Sequence, residues 1–348
     1  MSNSMDNQGH KQFMLDKAQG AMIGLALGDA LGTTLEFKPK DSYSPLTDIV
    51  GGGPFRLKAG NWTDDTSMML CLADSLLAQG EHDADDQMNR YCQWWQDGSN
   101  SVTGTCFDIG NTVAEALNYF QETGCANAGS TSEYSAGNGS LMRLAPVAIF
   151  NSVFRNASPE AVIEAAKLSS ITTHAEQRAI ESCQIMAWLL YQIFDDTEQA
   201  LDKKSLFSFL SNYWGSANIH QDLINIVNGS FITKSREEIR GTGFVVHSLE
   251  AALWSFANSN SFKEGALLAA NLGEDADTTA AIYGQLAGAF YGYSQLPSTW
   301  LEKLAWHYHI KEKAMLLMLT PSKDKLNRMF DTLRSNYDGE YENRVYKE

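Results

Sequence analysis

The 348-residue chain has no C-x-x-C pair: its five cysteines, Cys71, Cys92, Cys106, Cys125 and Cys183, are odd in number and widely spaced. That argues against a thiolate metal knuckle or a disulfide framework, and fits reduced thiols in the cytoplasm. Basic residues are also scarce. Lys and Arg total 26 against 42 Asp and Glu, a formal charge of -16, so the field of the whole protein repels phosphate backbones and anionic lipid. Neither nucleic acid nor a membrane surface is an expected partner. Long apolar runs are missing as well: Ala21–Leu31 is broken by Gly24, Gly28 and Asp29, and the polar Met1–Gln12 lacks the apolar stretch of a signal peptide. There is no Pro-rich linker, internal repeat or sustained strand-type alternation.

What is present is a large apolar complement. The chain is 44% hydrophobic with eight Trp and sixteen Phe, enough for one sizeable core. Apolar residues recur at three- and four-residue spacings in Leu15–Leu31, Ser67–Leu77, Thr112–Phe120, Ala161–Leu168, Glu176–Phe194, Phe244–Ala257, Phe262–Leu272 and Thr278–Tyr291, each a helical signature. Only Ile49–Leu57 and Phe231–Thr233 read as short extended pieces. The expectation is a compact all-α bundle over residues 15–335, preceded by a flexible polar extension, 1–14, and followed by a flexible tail, 336–348. Gly20, Gly24, Gly28 and Gly32 form one stripe and Gly284, Gly288 and Gly292 another. Glycine costs a helix nearly 1 kcal/mol relative to alanine, so the stripes predict backbones that must approach closely.

Two acidic clusters stand where helices begin: Thr63-Asp64-Asp65 and Asp275-Ala276-Asp277-Thr278. Thr and Asp are ordinary N-caps and first-turn residues, which is the plain reading of either cluster alone. A cap needs one acceptor, however, and here two carboxylates and a hydroxyl occur twice. If the glycine stripes bring the clusters together, four carboxylates share one spot, which demands cations. Hard oxygen ligands without Cys or His suit Mg²⁺ rather than Zn²⁺. Gly137-Asn138-Gly139-Ser140 precedes another helical stretch, and glycines there let backbone N–H groups face an anion.

Taken in order, these segments resemble the ADP-ribosylglycohydrolase family. The resemblance runs through Gly20-Ala21-x-x-Gly24-x-x-x-Gly28-Asp29-Ala30-Leu31-Gly32 with Glu36-Phe37, Trp62-Thr63-Asp64-Asp65-Thr66, Asp108-Ile109-Gly110-Asn111-Thr112, Gly137-Asn138-Gly139-Ser140-x-Met142-Arg143, Thr173-His174, Gly241-Thr242-Gly243-Phe244-Val245-Val246 and Asp275-x-Asp277-Thr278-Thr279. It implies an orthogonal helical bundle with two Mg²⁺ ions, Mn²⁺ being the alternative, on Thr63, Asp64, Asp65, Asp275, Asp277 and Thr278. It implies Glu36 as the catalytic acid or base and Asp108 beside the substrate ribose, or else as the N-cap of the helix at Thr112. It also implies Gly137, Asn138, Gly139, Ser140, His174 and Phe244 along the ligand, with Phe107 and Tyr134 as further candidates for stacking adenine. Arg143 is a candidate for a phosphate or an internal carboxylate. The implied reaction is removal of ADP-ribose from modified arginine on a protein substrate. The alternative is an immunity-type protein that neutralises an ADP-ribosylating toxin by covering it, with or without hydrolysis, using the N-terminal extension. One departure is His247-Ser248 after Val246, where relatives often carry acidic residues or Thr.

Overall fold

The computed structural model describes residues 2–196 and 199–319, with side chains from Gly9 onward. Helices α1 Ser2–Gly32, α2 Asp64–Gln79, α3 Ala84–Asp97, α4 Asn111–Thr123 and α5 Ala145–Ile149 make up the first half of the molecule. They are followed by α6 Pro159–Ile171, α7 Gln177–Asp195, α8 Lys203–Trp214, α9 Gln221–Val227 and α10 Val245–Ala257. The last four are α11 Phe262–Ala270, α12 Ala276–Tyr291, α13 Ser298–Leu301 and α14 His307–Met318. The fold is all-α. Of the two segments expected to be extended, Ile49–Leu57 contains one isolated antiparallel bridge, Gly52 with Leu57, and the other holds the 3₁₀ turn Ser230–Ile232.

The start of the chain differs from its expectation. α1 runs back through the segment read as an extension, and Met14, 7% exposed, already belongs to the core because it continues the apolar period of Ala18 and Ala21. The tail expected at 336–348 lies outside the described residues.

The two glycine stripes face each other. A Cβ placed on Gly24 would run into the carbonyl of Gly284, and one on Gly28 into the carbonyl of Ala280; Gly20 stands against Gly288 and Gly32 against Ala276 in the same register. As one index rises the other falls, so α1 and α12 are antiparallel and packed backbone to backbone. Gly292 stands apart from this stripe: it ends α12 at φ 83°. The contact brings the end of α1 to the start of α12, where Asp29 and Glu36 meet Asp275 and Asp277.

Candidate active site

Neither acidic cluster caps its own helix. Thr63 occupies the N-cap position of α2 and Asp275 that of α12, yet neither side chain accepts a capping hydrogen bond. The capping is done from a distance. Asp29, on α1 and fully buried, accepts from the Thr63 amide at 2.8 Å and hydroxyl at 2.9 Å with Oδ1, and from the Thr66 amide at 3.0 Å and hydroxyl at 2.6 Å with Oδ2. Glu36, 4% exposed, accepts the Ala276 amide hydrogen at 2.9 Å. Because these two carboxylates satisfy the helix starts, the local Asp and Thr side chains are released into a common site.

In that site Thr63 Oγ1 lies 3.3 Å from Asp65 Oδ2 and 3.4 Å from Asp277 Oδ2, and Thr278 Oγ1 lies 3.4 Å from Asp65 Oδ2. The carboxylates fall into two groups that share Asp277: Asp29, Asp65 and Asp277 in one, Glu36, Asp275 and Asp277 in the other, with ligand atoms within 4.8 Å of one another in each. The four donors to Asp29 fill both lone pairs of each of its oxygens, so its role is to frame the site rather than to ligate. Asp65 Oδ1 is the opposite case, buried without a hydrogen-bond partner among the described residues.

The electrostatics suit a site that receives positive charge. Burial and then Asp277 push the Asp29 and Asp275 carboxyls up to about 7, and burial followed by Asp277 and Asp275 pushes Asp108 up to about 9. Glu36 is driven far above the carboxylate range, by burial first and then by Asp277. Asp64 and Asp65 rise well above it too, with burial the leading cause. No Lys or Arg is among the described residues lining the adjoining cavity. The orphaned Asp65 oxygen and a hard, all-oxygen donor set fit divalent cations.

The cavity, about 800 Å³, is of the size that holds a nucleotide-like ligand. Its walls include Glu36, Asp64, Asp108, Gly137, Asn138, Gly139, His174, Asp275, Asp277 and Thr278, ten of the positions expected from sequence. Asp108 does not cap α4; Gly110 holds that place, and Asp108 sits at φ 62° with its carboxyl toward the cluster. Asn138 donates to Asp275 at 2.6 Å and to Ser248 at 2.8 Å, so it orients a candidate ligand and ties the His247-Ser248 departure to the layer behind Asp275.

Other expected residues lie elsewhere. Ser140 is turned into the core, 2.8 Å from Ser170 Oγ and 3.4 Å from Cys183 Sγ. Phe244 borders the cavity through a backbone bridge to Gly137, its ring covered by the Arg178 guanidinium at 5.2 Å and edge-on to His247 at 5.0 Å. Phe107 packs on Phe55 at 5.2 Å, and Tyr134 is 90% exposed. Among the described residues no carboxylate pairs with Arg143, which is fully buried against Thr173, Thr172 and the Tyr91 ring. Sequence reasoning gave Asp29 no role. Its one signal was an isolated charge inside an otherwise Ala-, Gly- and Leu-rich helix.

A helical frame that empties two helix starts into one carboxylate cluster suited to cations, beside a nucleotide-sized cavity, is an arrangement fit for metal-assisted chemistry on a bound ligand. The sequence profile of ADP-ribosylglycohydrolases matches residues 10–328. The chain is 45% identical over 316 residues to the ADP-ribosylarginine hydrolase Tri1 of Pseudomonas putida (strain GB-1), covering 90% of this chain and 81% of that one. It is 30% identical over 295 residues to the ADP-ribosyl-(dinitrogen reductase) glycohydrolase of Rhodospirillum rubrum, covering 83% of this chain and 90% of the other. A solved structure described as an ADP-ribosylglycohydrolase-related protein complex matches with a TM-score of 0.77 at 37% identity, over 88% of this chain and 98% of its own. The chain belongs to the ADP-ribosylglycohydrolase family, whose members are glycosidic hydrolases.

Proposed function

We propose that this protein hydrolyses the bond between C1″ of the distal ribose of ADP-ribose and an arginine nitrogen of a modified protein. It does so with two Mg²⁺ ions, or Mn²⁺ in their place, held by Thr63, Asp64, Asp65, Asp275, Asp277 and Thr278. The observation that carries this reading is Asp277, shared between two carboxylate groups. The names of the relatives at 45% and 41% identity, both ADP-ribosylarginine hydrolases, support arginine as the acceptor.

Cleavage of a glycosidic bond builds positive charge at C1″ in an oxocarbenium-like transition state, and the carboxylates of Glu36 and Asp108 line the cavity that receives it. Bound divalent cations supply Lewis acidity, orienting ribose hydroxyls and lowering the pKa of water. With cations beside it restoring its charge, Glu36, fixed through Oε2 by the Ala276 amide, would use its other oxygen to take the proton of the attacking water. That proton passes to the departing guanidine nitrogen while hydroxide becomes the new substituent of C1″. Asp108 orients the ribose, and Asn138 holds Asp275 in place. Incubation with arginine-ADP-ribosylated and serine-ADP-ribosylated protein, reading released ADP-ribose by mass, tests the linkage. Release from the arginine substrate is expected; release from the serine substrate alone contradicts the assignment.

The cytoplasm is the proposed location, supported by the five unpaired thiols, of which Cys71 and Cys183 are pushed up by burial to about 12 and about 11. An ADP-ribosylating toxin is the protein partner of the second reading, favoured by residues 1–9, which precede the matched span. A variant lacking Met1–Gln12, and with it the first turns of α1, then hydrolyses normally and binds the toxin more weakly; unchanged toxin affinity removes this segment from that role.

A further inference from the structure

His174 is 2% exposed, and its two ring nitrogens have different surroundings. Nδ1 lies 2.9 Å from the Thr173 hydroxyl. Nε2 has no hydrogen-bond partner among the described residues and lies beside Gly137 and Gly139 in the cavity lining. A Cβ on either glycine would come within 3.2 Å of Nε2, so the absence of side chains there is what leaves that nitrogen open. Behind Thr173 stands Arg143, fully buried, donating from Nη2 to the Thr173 hydroxyl at 2.7 Å. No carboxylate among the described residues pairs with this guanidinium.

We propose that Arg143 and Thr173 are positioning residues that hold His174 as the neutral tautomer protonated on Nε2, presenting the cavity with one fixed donor for an acceptor oxygen of ADP-ribose. The identity of the ligand rests on the proposed function; the tautomer does not.

Arginine has donors only, so the short Nη2 contact uses the Thr173 oxygen as acceptor. The Thr173 hydrogen is then free to be given away, and Nδ1 is the acceptor in reach. The neighbouring Thr172 hydroxyl already donates to the Ser169 carbonyl at 2.8 Å. If Nδ1 accepts, the single proton of a neutral imidazole sits on Nε2. The opposite tautomer would leave the Thr173 hydrogen buried without an acceptor, the costlier arrangement. Burial and then the Arg143 charge hold the ring neutral, so there is one proton to place. A fixed Nε2–H donates to a hydroxyl or phosphoryl oxygen and turns away a donor-only group. The ADP-ribose side of the substrate, not the guanidinium it is attached to, therefore belongs against His174.

The test is imidazole ¹⁵N NMR of the full chain, with ADP-ribose titration in parallel, on wild type, Thr173→Val and Thr173→Ser. Wild type should show the Nε2–H form. Thr173→Val should lose that preference and bind ADP-ribose roughly tenfold more weakly, and Thr173→Ser should restore both. A wild-type Nδ1–H form, or a Thr173→Val variant with unchanged tautomer and affinity, overturns the relay. If Thr173→Val does not fold, the wild-type spectrum decides alone. Failure of wild type to bind ADP-ribose at all would count against the proposed function and leave the tautomer reading standing.

Discussion

Glu36 accepts the amide hydrogen of Ala276 at 2.9 Å across 240 positions of sequence, and so caps a helix whose own N-cap residue, Asp275, is left free to face the cavity. The same carboxyl lies against Asp277 at the cluster. Structure and chemistry are thus separable at this residue. Glu36→Gln keeps an oxygen for the Ala276 amide and removes only the ionisable function. It should retain wild-type thermal stability and ADP-ribose affinity while turnover falls by about two orders of magnitude or more, the scale of a lost positioned base. Unchanged turnover in a single-turnover assay would remove Glu36 from the chemistry.

Asp29 and Asp64 should behave oppositely. Asp29→Ala strips the start of α2 of its four acceptor contacts and should cost about 2–4 kcal/mol by denaturant unfolding, with or without divalent cation. Asp64→Ala removes one of several crowded carboxylates and should abolish turnover while leaving metal-free stability unchanged or slightly higher. Equal destabilisation by the two would mean that the division between frame and ligand is mistaken.

The close packing of α1 on α12 is the mechanical basis of the site. Gly28→Ala puts a methyl group onto the Ala280 carbonyl, so the helices must part and carry Asp29 away from Asp277. Overpacking of this kind costs about 1–3 kcal/mol. Divalent affinity, read by calorimetric titration, should weaken together with the melting temperature. A variant that loses stability and keeps its cation affinity would uncouple the stripe from the site.

Much of this organisation is legible in the sequence, for identifiable reasons. The helices that bury an apolar face announce themselves by periodicity, and the two acidic clusters by their excess of oxygen over what a cap requires. α3 escaped notice because its Met88, Tyr91 and Trp94 face is set among polar residues; its Asp83 cap and Gly98 stop, at φ 71°, are the local marks of its ends. Asp29 and Glu36 were harder. Capping from another helix leaves no local pattern, and Glu36 between Leu35 and Phe37, near Lys38 and Lys40, resembles a solvated loop residue until the fold buries it. Ser140 and Arg143 sit in a motif whose glycines reach the cavity, and only the helical turn decides which side chains look inward.

The acid response should carry the mark of His174. Its folded pKa is pushed down from 6.5 to about 3, by burial first and then by Arg143. Below pH 6.5 the unfolded chain therefore binds a proton that the folded chain refuses, and stability is lost as pH falls. His174→Gln removes this proton uptake. Between pH 7 and pH 5 the variant should lose about 2 kcal/mol less stability than wild type, measured by denaturant unfolding at each pH. An identical pH dependence would show that the ring protonates in the folded state.

The proposed mechanism requires cations between the carboxylates around Asp277. The direct measurement is release of ADP-ribose from arginine-ADP-ribosylated protein by chelator-stripped enzyme as Mg²⁺ is titrated back, followed by mass. The expected result is no release in excess chelator, recovery with Mg²⁺ or Mn²⁺, and a stoichiometry of two ions per chain at full activity. Full turnover in excess chelator would contradict it.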